Sequence, residues 1–74
     1  MNFHAFYTLP KTRISKYHLN WLEIAICSYI EQFDSCLAID STGDIREFSA
    51  SDITPAQARE IAAFVDGWLC AKGL

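Results

Sequence analysis

Apolar and polar residues alternate at the start of the chain. Phe3, Ala5, Tyr7 and Leu9 interleave with Asn2, His4, Phe6 and Thr8, a period of two that predicts a strand. Pro10 ends it, because proline has no N–H to give to a ladder. Phe6 is the irregularity, an aromatic on the polar face. Either that face is covered as well, or the ring is left for a partner. Residues 11–19 are polar and basic and read as a connection.

The segment from Asn20 to Phe33 supports two readings. As a helix, it opens on Asn20-Trp21-Leu22-Glu23: the Asn side chain accepts from the free N–H groups of the first turn, and Glu23 reaches back. Leu22, Ala25, Ile26, Tyr29, Ile30 and Phe33 then share one face. Glu23, Cys27, Ser28, Glu31 and Gln32 take the other. As a strand, Leu22, Ile24, Ile26 and Ile30 share a face, but Ser28 falls among them and Glu23 and Glu31 alternate with Trp21, Ala25 and Tyr29. The helix is favoured.

Cys36–Asp40 and Asp44–Ser49 read as a hairpin around Ser41-Thr42-Gly43, with Gly43 free to take the positive φ of a short loop. Leu37 and Ile39 share a face, whereas Ile45 and Phe48 have opposite parity. One of these two therefore points away from the main core, or a bulge intervenes.

Thr54-Pro55-Ala56-Gln57 starts the last helix as a capping box with proline at the first helical position. Ala58, Ile61, Ala62, Val65, Trp68 and Leu69 form its apolar stripe, with Phe64 at the edge. Lys72 suits the carbonyl end and Gly73 closes it. Gly67 weakens the middle unless a close contact requires it.

These elements make one α+β domain over residues 1–74, of order β-α-β-β-α: a three-stranded, largely antiparallel sheet with two helices. If the second segment is a strand, the result is a four-stranded antiparallel sheet plus one C-terminal helix.

Composition sharpens the picture. A chain of 74 residues buries about 60% of the surface its unfolded form exposes, so it needs a dense core or a partner. It is 51% hydrophobic and has ten aromatic residues, which is more than one small core holds easily. Aromatics beside charge are what interface centres use. No apolar run reaches the length of a bilayer span, and the N-terminal residues lack the features of a signal peptide. The three cysteines are odd in number and without C-x-x-C spacing. Together these features fit a cytoplasmic chain.

The formal charge of −3 is unevenly spread. Residues 1–22 carry Lys11, Arg13 and Lys16 and no acid, a net +3, while residues 23–74 carry a net −6. Basic and acidic surfaces of this kind steer charged partners.

Candidate chemistry is sparse. His4, His18, Cys27 and Cys36 match no zinc spacing. A Cys–His pair has no nucleophile elbow or oxyanion hole to serve it, and Asp40 and Asp44 flank a turn, where Asp is favoured for backbone reasons. The glycines form no phosphate loop. We therefore expect no catalytic, metal or cofactor residues and no enzyme activity.

The expected function is a non-enzymatic module that binds a larger protein stoichiometrically through Phe6, Lys11, Arg13, Lys16, Tyr17 and Trp21. A homodimer is a further option, and no membrane contact is expected. The alternative is a nucleic-acid accessory protein using the basic segment 11–18. Three cations are few for that, and the acidic remainder repels a polyanion. In size and composition alone, the chain is similar to small phage and mobile-element products that block host machinery, anti-CRISPR proteins among them. No motif carries the analogy.

Overall fold

The computed structural model describes residues 2–74. Strand β1 (Phe3–Pro10) leads through a turn to helix α1 (Lys16–Ile30), which runs into a single 3-10 turn over Glu31–Phe33. Strands β2 (Leu37–Thr42) and β3 (Ile45–Ser51) follow as a hairpin, and helix α2 (Pro55–Ala71) completes the chain. The sheet has three strands in the order β1-β3-β2, and both pairings are antiparallel. The expected β-α-β-β-α order holds, and the second segment is helical.

Strand β1 is paired as expected, but its faces are not those of simple alternation. Ala5 pairs with Ser49 and Tyr7 with Phe48, so Phe6 is the extra residue of a β-bulge. A bulge switches parity. Leu9 is fully buried, Tyr7 is half-buried, and Phe3 and Ala5 lie exposed on the opposite side. Phe6 turns inward to pack against Phe48, ring centroids 6.3 Å apart. The single apolar face Phe3-Ala5-Tyr7-Leu9 is thus corrected to two half-faces joined at Phe6. In β3 the parity conflict resolves without a bulge: Phe48 is fully buried and Ile45 points outward. Gly43 takes a φ of 58° in the hairpin turn.

Helix α1 begins earlier than Asn20. Ser15 is its N-cap, extended at φ −74° and ψ 165°, and its hydroxyl accepts from the His18 N–H. The first intrahelical bond, Leu19 N–H to the Ser15 carbonyl, is 2.9 Å long. Ile14 is buried and Leu19 packs against the core, which places apolar residues at the two positions of a hydrophobic staple. Burying this pair outweighs the polar character of residues 16–20, so Asn20 is an exposed mid-helix residue and the basic connection shrinks to residues 11–15. The inward face is the expected one: Leu22, Ile26 and Ile30 are fully buried, while Ala25, Tyr29 and Phe33 are half-buried.

Helix α2 starts at the capping box. Thr54 Oγ1 accepts from the Gln57 N–H at 3.1 Å, and Gln57 Oε1 accepts from the Thr54 N–H at 2.9 Å. Ile61, Val65 and Leu69 are its buried stripe. Gly73, at φ 74°, turns the chain so that the Leu74 N–H reaches the Leu69 carbonyl. A Cβ added at Gly67 would meet nothing within 4 Å, so no close contact explains that glycine.

The core lies between the sheet and the two helices and joins Leu9, Ile14, Leu22, Ile26, Phe48 and Val65 with their neighbours. The helices contact each other, α2 over β1 and α1 over β2. Tyr29 stacks on Phe64 at 4.3 Å and donates to Glu60 Oε2 at 2.8 Å. Since residue 29 near the end of α1 meets residues 60 and 64 in the first half of α2, the helices run antiparallel. The start of α1 consequently stands beside the end of α2.

Candidate functional site

That juxtaposition builds the site. Along α1, Tyr17, Trp21 and Ile24 recur at the i, i+4 and i+7 spacing of one face, and this face looks outward. Their exposures are 66%, 52% and 57%, high for large apolar side chains. Tyr17 packs edge-on against both His18 (5.3 Å) and Trp21 (6.5 Å). From α2, Trp68 and Lys72 approach, with Lys72 Nζ lying 5.4 Å from the centre of the Trp68 ring. Tyr17, His18, Trp21, Trp68 and Lys72 line a cleft of ≈ 400 Å³.

Three cations stand at this end, Arg13, Lys16 and Lys72. Helix α1 has no acidic residue in its first turn, so the positive end of its dipole is not offset there. Lys16 is exposed in that turn, and Arg13 spans to the other helix end, donating to the Leu74 carbonyl at 3.1 Å. No Asp or Glu occurs in residues 1–22 or 67–74, which together carry a net +4, against −7 for residues 23–66. Asp66, on the preceding turn of α2, accepts from the Tyr7 hydroxyl. Burial and this carboxylate raise the Tyr7 pKa above its ordinary value, although Arg13 opposes them.

The structure brings four of the six expected contact residues to this end: Arg13, Lys16, Tyr17 and Trp21. Phe6 lies inward against Phe48. Lys11 is half-buried at the hairpin, its N–H donating to the Asp44 carbonyl at 2.8 Å and its carbonyl accepting from Arg46 at 3.3 Å. Trp68 and Lys72 are additions that sequence reasoning assigned to the apolar stripe and to the carbonyl end of α2. Their i, i+4 spacing puts them side by side, but only antiparallel helix packing carries them to Tyr17 and Trp21.

A second exposed apolar surface exists on the open face of the sheet, with Phe3 and Ile45 at 46% and 45% exposure. The register sets them at opposite ends of β3, opposite or at residues 51 and 45, which is about 20 Å at the rise of a strand. They form no continuous patch.

The polar candidates are dispersed. His18 and Cys27 are nine residues apart on α1, about 13 Å along its axis, and His18 Nδ1 stands 3.1 Å from Ser15 Oγ. Cys27 lies in a separate groove with Glu23, Leu37 and Ile39. Desolvation, then Glu23, pushes its thiol pKa up, which opposes formation of a nucleophilic thiolate. Among the described residues, no group of three His, Cys, Asp or Glu side chains is placed to hold a metal ion. Likewise, no helix among them is long and apolar enough to cross a membrane.

Comparison with protein-family models, curated proteins and solved structures finds no match to this chain.

Proposed function

We propose that this protein is a non-enzymatic binding module that acts by stoichiometric contact with a larger protein, through the cleft between the start of α1 and the end of α2. The observation that carries the reading is the outward stripe of Tyr17, Trp21 and Ile24, continuous with Trp68 across the cleft. Leaving three large side chains in water offers the isolated fold nothing, whereas aromatic anchors around a concavity supply most of the energy of many interfaces. Besides its aromatic rings and Lys72, the cleft is lined by the imidazole of His18, whose Nδ1 is paired with Ser15 Oγ, and no carboxylate or thiol is among the lining residues described. That composition suits recognition better than proton or acyl transfer. A blocker of host machinery is the biological setting suggested by size and composition.

Affinity capture from the source cell, run in parallel with wild type and Tyr17→Ala/Trp21→Ala, tests the reading. Wild type is expected to retain one dominant protein in near-equal amount, and the double variant to lose it. An aromatic hot spot is worth ~2 kcal/mol or more, about thirtyfold in affinity. Equal recovery by both proteins, or recovery of nucleic acid alone, would refute it.

A further inference from the structure

The charge distribution specifies the partner's chemistry, and this step rests on the binding reading above. We infer that the partner presents a short acidic segment carrying one bulky apolar side chain. The apolar side chain enters the cleft between Tyr17, Trp21 and Trp68, and the flanking carboxylates meet Lys16, Lys72 and the unoffset N-terminal end of α1.

Three observations converge on this occupant. The cleft, at ≈ 400 Å³, falls in the range of sites that enclose a compact apolar group. Its lining is aromatic on both helices, with one ammonium, that of Lys72, at its edge. The cations placed at this end are Arg13, Lys16 and Lys72, Lys11 being held at the hairpin beside Asp44, and Asp66 on the preceding turn of α2 is engaged by the Tyr7 hydroxyl. An acidic partner segment is steered to these three cations.

The chain's overall charge separates a protein segment from a nucleic acid. A nucleic-acid strand repeats its charge along its whole length, so beyond these three cations it meets a chain whose remaining charge is acidic. A short acidic segment meets only the cationic end and passes into less charged chain on either side.

Selection from a phage-displayed library of random peptides on the immobilised protein tests the inference without a known partner. Enriched peptides are expected to be net acidic around an aromatic or leucine residue. A synthetic peptide of the enriched sequence should lose about tenfold in affinity with Lys16→Glu and at least as much with Trp21→Ala, and should weaken as salt rises. Lys16→Gln should give an intermediate loss, and thermal melts of each variant verify folding. Neutral or basic peptides that still depend on Trp21 would overturn the acidic partner while leaving the binding face standing. Binding of an oligo-dT strand at this face more tightly than any peptide would overturn both, as would a failure to enrich any peptide. A concentration-dependent dimer that Trp21→Ala dissociates would make a second copy of this chain the occupant and overturn the acidic partner.

Discussion

Replacing Gly67 by Ala should stabilise the protein. The position lies within the 17-residue helix α2 and is exposed. Its φ is not positive, and an added Cβ meets no atom within 4 Å. The substitution therefore gains helix propensity without a steric cost: about 1 kcal/mol from the lower backbone entropy of the unfolded chain. For a domain of this size that corresponds to an upward shift in Tm of about 4–8 °C. Gly43→Ala is the matched control. Its Cβ is equally free of neighbours, but the residue sits at φ 58°, so the left-handed conformation alone should cost about 1–2 kcal/mol. Thermal and urea unfolding followed by far-UV circular dichroism measure both. A destabilised Gly67→Ala, or a Gly43→Ala as stable as wild type, would refute the reasoning, because space is the same at both sites and only φ differs.

Ser51→Ala removes the buried hydroxyl that accepts from the Cys36 N–H at 2.8 Å. Urea unfolding should show a loss of about 1–3 kcal/mol as that donor is left unpaired, with a smaller loss for Ser35→Ala. Because the Tyr7 pKa is raised in the fold, its contribution to stability is fully present below about pH 10 and is lost as pH rises through the folded value. Tyr7→Phe should flatten the alkaline limb of the stability–pH profile, and an unchanged limb would count against the Tyr7–Asp66 bond. Alkylation of Cys27, followed by peptide mass spectrometry, should show an apparent pKa above that of a free thiol, lowered by Glu23→Gln; an unshifted profile would contradict the placement of Glu23 beside it.

The fold was legible where local chemistry and burial agree. Thr54-Pro55-Ala56-Gln57 is a cap in sequence and in space because box, proline and apolar stripe all demand the same helix start. At Asn20 they disagree. Asn20 and Glu23 have the right residue types for a cap, but Ile14, Ser15 and Leu19 offer a cap and a buried apolar pair together, and burial decides. The bulge at Phe6 was visible only as an aromatic out of phase. Alternation says that a face is irregular, while the choice between an exposed ring and an extra residue depends on Phe48 across the sheet.

The candidate site divides along the same line. Arg13, Lys16, Tyr17 and Trp21 stood out because they are close in sequence and mix charge with aromatics. Trp68 and Lys72 lie some 50 residues away and reach the site through the antiparallel packing that Tyr29, Glu60 and Phe64 fix. No local pattern encodes that contact. Lys11 and Phe6 show the converse: adjacency in sequence suggested a shared surface, but the end of β1 turns one to the hairpin and the bulge turns the other inward.

The most direct test of the central claim is site-specific photo-crosslinking in the source cell, with benzoylphenylalanine at Asn20, the exposed neighbour of Trp21 on α1, and, separately, at Ile45 on the open sheet face. The account predicts one crosslinked protein from position 20, carried on an acidic segment of the partner, and none from position 45. Crosslinking from position 45 alone, or none from position 20, would contradict it.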